Sequence, residues 1–157
     1  MAAVALVRLL VPIDFSDTAA AAVKYAVALA DGFGAELHLL HVVEQPLEWQ
    51  AVPEMALVSS PAGDAARVQR AEAELAGLLT REERERYRAV VATAHGAPAA
   101  AIVAYAAAHD VDLIVLGTHG RGAVAHLVIG SVAEHVVRRA PCPVLTIPRR
   151  GHDFVTI

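Results

Sequence analysis

The stretch VALVRLLVPIDFSDTAAAAVKYAVALA, residues 4–30, decides the fold. Its first part, residues 4–13, is a continuous apolar run in which Arg8 is the one charged residue. A run rich in Val, Leu and Ile suits a strand covered on both faces rather than one with a wet face. At Ser16 the pattern changes. A serine hydroxyl can accept a bond from an orphan N–H of a first helical turn, so Ser16 is the expected N-cap. Over residues 17–30, Val23, Val27 and Leu29 lie among alanines, and alanine is the best helix former. Asp31-Gly32 is expected to end this helix, with Gly32 as a left-handed cap.

The same unit recurs outward from this stretch. Strands are expected at residues 35–43, 88–93, 111–116 and 143–147, and helices at 62–85, 99–109 and 131–140. In the 62–85 helix Val68, Ala71, Leu75, Leu78 and Leu79 share one face, while the REERER run, residues 81–86, reads as a solvated face of paired opposite charges. Pro98 suits a first helical position, and Ser131 with Glu134 has the S-x-x-E spacing of a capping box. Residues 44–61 hold Pro46, Pro53 and Pro61 and read as a long irregular stretch. Strict alternation of strand and helix implies a parallel sheet with helices on both faces, joined by right-handed crossovers.

Composition agrees with this class. The chain has 157 residues, 56% of them hydrophobic, 4% aromatic and 19% charged. One domain over residues 1–157 is expected, with a core at 4–148 and a short tail at 149–157. Thirteen basic against seventeen acidic residues give a net charge of −4, which disfavours a nucleic-acid binder that must neutralise phosphates. Cys142 is the lone cysteine, so no disulfide within the chain is possible, as fits a reducing compartment. The apolar runs are too short to span a bilayer, and a signal-peptide pattern is missing; a cytoplasmic location is the expectation.

In open α/β sheets ligands bind beyond the carboxyl ends of the strands, where the strand order reverses. The segment after the fourth strand is GTHGRGAVAHLVIGS, residues 117–131. Its glycines let a ligand approach the backbone, and a helix start at Ser131 offers free N–H groups to an anion. A phosphate cradle and a flexible connection with ordinary caps both fit these residues. It is not a Walker A loop, because Ala123 and Val124 stand where Lys and Ser/Thr are required, and it is not a G-x-G-x-x-G turn.

Gly117-x2-Gly120-x9-Gly130-Ser131 resembles the G-2x-G-9x-G-[S/T] signature of the ATP-binding branch of the universal stress protein family. PIDFS (12–16), HVVE (41–44) and APCPVLTIP (140–148) are similar to the family's strand endings in the same order. The resemblance implies an open five-stranded parallel sheet of order 3-2-1-4-5, Rossmann-like and akin to the adenine nucleotide alpha hydrolases. It implies ATP across the ends of strands one and four. Pro12, Ile13 and Asp14 would line the nucleoside pocket, and Val42 would meet the adenine through its main chain. Leu116 and Gly117 would lie beneath the ribose and phosphates. Gly120, Arg121, Gly122, Gly130, Ser131 and Val132 would surround the phosphates. Ile13 departs from the commoner small or Thr residue of the family at that position.

The chemistry expected is binding rather than efficient catalysis. His38 and His41 are three apart on a strand and face opposite sides, so they do not pair as ligands. His119 is a phosphate neighbour or a surface residue. Asp14 either helps hold Mg2+ that rides on the phosphates or caps the first helix. There is no G-x-S-x-G elbow, and Cys142, between Pro141 and Pro143, suits inert packing. The function expected is a nucleotide-dependent stress-response and signalling module. A slow ATPase or phosphotransferase and a nucleotide-independent interaction protein are the alternatives. The resemblance also implies a homodimer through the last strand, whose edge (Val144–Ile147) is apolar and otherwise open.

Overall fold

The structure, a computed structural model, describes residues 5–44, 61–118 and 129–148. Its strands are β1 (Arg8–Pro12), β2 (Glu36–Val43), β3 (Val90–His95), β4 (Leu113–Gly117) and β5 (Val144–Ile147). Its helices are α1 (Asp17–Phe33), α2 (Pro61–Gly77), α3 (Arg81–Arg86), α4 (Pro98–Ala108) and α5 (Ser131–Arg139). The strands form one parallel sheet of order β3-β2-β1-β4-β5, as expected. The order reverses between β1 and β4, which places the crevice beyond the ends of those two strands.

Alternation along β1 divides the interior into two layers. Leu9, Val11 and Ile13 point to one side, with Leu37, Leu39 and Val115, and meet α1 and α2. Leu10 points to the other, with Leu40, Ile114 and Leu116, and meets α4 and α5 through Ile102, Ala106, Ala133 and Val136. Successive residues of a strand face opposite ways, so a run buried on both sides must be apolar throughout. Ala19, Ala22, Ala26 and Ala30 form the buried stripe of α1 at three- and four-residue spacing. Their small side chains let the helix lie close to the sheet. Fully buried leucines such as Leu9, Leu10, Leu37, Leu39 and Leu40 each contribute about 1.5–3 kcal/mol by leaving water.

Several boundaries differ from the sequence expectation, each for a local reason. β1 begins at Arg8 rather than four residues earlier, because the Asp112 carboxylate accepts the N–H groups of Val7 (2.8 Å) and Arg8 (2.9 Å). Helix α1 runs on to Phe33, and Gly34 (φ +69°), not Gly32, is its left-handed cap. The single helix expected over 62–85 is two helices. Thr80 adopts extended backbone, accepts the Glu83 N–H at 3.1 Å and donates its own N–H to the Glu83 carboxylate in return, so a capping box starts α3 anew. Arg88 takes a left-handed turn (φ +46°), which delays β3 to Val90.

The capping box expected at Ser131 is absent. Gly130 is the N-cap, with extended backbone, and among the described residues no side chain caps the helix. Ser131 is already helical, and Glu134 pairs instead with Arg138 at 3.0 Å. The remaining ends of α4, β4 and β5 shift by one or two residues. Residues 45–60, 119–128 and the tail from 149 lie outside the described residues. No described helix is long and apolar enough to cross a membrane.

Candidate functional site

At the end of β1 the chain leaves the sheet through Ile13, Asp14 and Phe15. Phe15 takes φ +61°, a left-handed conformation rare for a bulky side chain. Asp14 Oδ1 accepts the Ser16 N–H at 3.0 Å and also the Ser16 hydroxyl. Ser16 is the N-cap of α1, as expected, and its Oγ accepts the Ala19 N–H at 3.3 Å. Asp14 therefore hydrogen-bonds the N-cap residue beside the first helix.

At the end of β4 two helix starts come together. Gly117 packs directly on Thr18 in the first turn of α1; a Cβ there would stand 2.8 Å from the Thr18 carbonyl carbon. Thr118 N–H donates to Ile147 O at 3.0 Å, and Gly130 N–H donates to Thr118 O at 2.6 Å. The first hydrogen bond holds Thr118 beside the end of β5. The second pins the start of α5 to the residue after β4. Both helix N-termini, with their positive dipole ends, are thus fastened around the carboxyl end of β4.

The residues singled out from sequence fall into three groups. Pro12, Ile13 and Leu116 are buried. Asp14, Val42, Gly117, Gly130 and Val132 are half-buried and Ser131 is exposed, all at the same end of the sheet. His119, Gly120, Arg121 and Gly122 lie outside the described residues. Among the described residues, no group of three His, Cys, Asp or Glu side chains is arranged to hold a metal ion. Sequence reasoning missed Thr18, Thr118 and His41. The first two matter only because α1 and β5 flank β4. His41 donates from Nδ1 to the Ile13 carbonyl at 2.8 Å, with the Phe15 ring 4.8 Å from its own.

The other early histidine lies elsewhere. His38 is 3% exposed and faces α4, on the opposite side of β2 from His41, as expected. Its Nε2 is 2.7 Å from Glu36 Oε1 and its Nδ1 is 2.9 Å from the Tyr105 hydroxyl. A carboxylate only accepts, so Nε2 carries the proton, and the Tyr105 hydroxyl pairs with Nδ1. Tyr105 in turn stacks on His109, with ring centroids 4.0 Å apart. Burial, and then the Glu36 charge, push the Tyr105 hydroxyl above its usual pKa. This cluster sits at the amino ends of the strands, away from the crevice.

A doubly wound parallel sheet with a crevice between β1 and β4, flanked by two helix starts, defines the class: a Rossmann-like α/β protein with a site suited to an anionic ligand. Comparison with known proteins resolves the class further. The sequence model of the universal stress protein family matches residues 7–148, and the chain belongs to that family. It is 31% identical over 150 residues to universal stress protein MJ0531 of Methanocaldococcus jannaschii, covering 90% of this chain and 82% of that one. It is 35% identical over 139 residues to a universal stress protein of Thermus aquaticus, covering 88% of this chain and 96% of that one. Among solved structures, protein MJ0577 of M. jannaschii superposes with a TM-score of 0.77 at 28% identity, covering 95% of this chain and all of that one.

Proposed function

We propose that this chain is an ATP-binding universal stress protein of the cytoplasm, a module whose nucleotide occupancy is read by a partner or by its own assembly. The observation that carries this reading is the convergence at β4. Gly117 against Thr18 and Gly130 N–H on Thr118 O set two helix starts at one strand end. Among the described residues no side chain caps the start of α5, so its first-turn N–H groups suit a phosphate. The spacing Gly117-x2-Gly120-x9-Gly130-Ser131 supports the same reading. Universal stress proteins of this fold have been solved in complex with cAMP (24% identical, TM-score 0.58) and with dAMP (20% identical, TM-score 0.59). Those complexes support an adenine nucleotide as the first ligand to try.

In this reading Pro12, Ile13 and Asp14 border the nucleoside, Val42 meets the base through its main chain, and Leu116 and Gly117 floor the ribose and phosphates. His119, Gly120, Arg121, Gly122, Gly130, Ser131 and Val132 surround the phosphates. Mg2+ would ride mainly on phosphate oxygens, with Asp14 offering a carboxylate. Protein stripped of nucleotide is expected to bind ATP with a Kd on the order of micromolar by titration calorimetry. No heat of binding, together with no nucleotide released on denaturation, would reject the reading. Gly120→Val is expected to abolish binding by blocking backbone approach.

We also propose a homodimer through β5. Among the described strands β5 has one neighbour, β4, so its outer edge is open. Val137 on α5, the helix packed against β5, is 47% exposed. Light scattering at micromolar concentration is expected to give twice the chain mass; a monomer mass would reject the dimer.

A further inference from the structure

The ladder between β1 and β2 stops one rung short. In a parallel ladder alternate residues of a strand turn their N–H and C=O groups to opposite neighbours. On β2, Glu36 N–H donates to Val7 O at 2.8 Å, and Leu40 O accepts Ile13 N–H at 2.8 Å, so the even-numbered residues face β1. Leu37 N–H donates to Tyr87 O and Val43 O accepts Gly96 N–H, so the odd-numbered residues face β3. The next rung towards β1 would be Val42 N–H to Ile13 O. Among the described residues that bond is not made, and paired register ends at Pro12 with Leu40. The Ile13 carbonyl is taken instead by His41 Nδ1 at 2.8 Å.

From this geometry we infer that His41 is a positioning residue, whose imidazole caps the Ile13 carbonyl and so keeps the main-chain groups of Val42 available to a ligand. The inference rests on the nucleotide reading for the identity of that ligand, but not for the ladder itself. A carbonyl only accepts, so Nδ1 must carry a proton, and it does so both in one neutral tautomer and in the imidazolium. Phe15, held at φ +61° with its ring 4.8 Å from the imidazole, packs the donor in place and turns the chain away from β2. Beyond Pro12, Val42 is left presenting an N–H and a C=O side by side. That pair matches a flat heterocycle with an acceptor next to a donor, as on the N1 and N6 edge of adenine.

The test uses the full chain with His41→Leu, which removes the donor, and His41→Asn, which restores an N–H near the Nδ1 position. In the free wild-type protein, 15N spectra of the imidazole are expected to show Nδ1 protonated, and the Val42 amide is expected to exchange quickly with solvent. In His41→Leu the freed carbonyl takes Val42 N–H, the amide becomes protected, and ATP affinity falls about tenfold, the equivalent of one lost hydrogen bond. His41→Asn is expected to return both towards wild type. A protected Val42 amide in the wild type, an unprotonated Nδ1, or unchanged exchange in His41→Leu would overturn the inference. So would exchange that changes while ATP affinity stays within twofold. If the wild type binds no nucleotide while His41→Leu still protects Val42, the nucleotide reading fails and the role of His41 in ending the ladder stands. The tautomer and exchange of the wild type decide the matter even if His41→Leu does not fold.

Discussion

Gly117 and Thr18 touch with no room between them for a side chain. A Cβ on Gly117 would stand 2.8 Å from the Thr18 carbonyl carbon and Oγ1, and 2.9 Å from its Cβ. The close approach lets the last residue of β4 lie against the first turn of α1, which forms one wall of the crevice. Gly117→Ala is therefore expected to destabilise the protein by about 1–3 kcal/mol through overpacking. A denaturant titration measures this as a lower midpoint. Thr18→Ala in the Gly117→Ala background should recover only part of the loss, because backbone is among the atoms in the way.

Thr80 separates two helices that periodicity alone joins. Its hydroxyl accepts Glu83 N–H and its own N–H donates to Glu83 at 2.7 Å. Thr80→Ala is expected to cost about 1 kcal/mol, measured by thermal or urea unfolding. Thr80→Ser should be close to neutral, since serine caps as well.

Tyr105 supplies the hydroxyl that satisfies the buried His38 ring at 2.9 Å. Tyr105→Phe is expected to destabilise by about 1–3 kcal/mol, because Nδ1 is then buried without a partner. Nucleotide affinity should stay within twofold of wild type, because the cluster lies at the opposite end of the strands. A large loss of affinity would contradict that separation.

Two tyrosines set an alkaline limit. Burial first, and then the Asp31 charge, raise the Tyr87 pKa; burial and Glu36 raise that of Tyr105. A raised folded-state pKa means that the unfolded chain loses its phenolic proton first. Stability from these groups is thus full below the ordinary tyrosine pKa of about 10 and declines as pH climbs from there through the folded values. Urea midpoints measured across that range are expected to fall, and Tyr87→Phe should flatten the decline.

Cys142 should be a slow thiol. Burial chiefly, and the Asp112 charge secondarily, push its pKa up, against a smaller lowering by a backbone bond with Ile114. Iodoacetamide is expected to label the native protein at pH 8 more slowly than the denatured chain, as read by mass spectrometry.

What the sequence by itself determined is the alternation. The apolar runs of β1, β2 and β4 and the alanine stripe of α1 follow from local periodicity, because burial on both faces demands continuous apolar residues. Ser16 as N-cap was legible for the same local reason, and the glycine spacing from Gly117 to Ser131 follows β4, beside which the strand order reverses. The break at Thr80 was written in its T-x-x-E spacing, yet the apolar face of Leu75, Leu78 and Leu79 ran across it and hid it. What only the tertiary structure decided is which residues meet across elements. Gly117 is tight because α1 passes β4, ninety-nine positions away in sequence (117 − 18 = 99). The start of α5 depends on Thr118, and His41 serves Ile13 because their strands are neighbours. Periodicity records which way a side chain faces; it carries no record of the strand order that determines what that side chain faces.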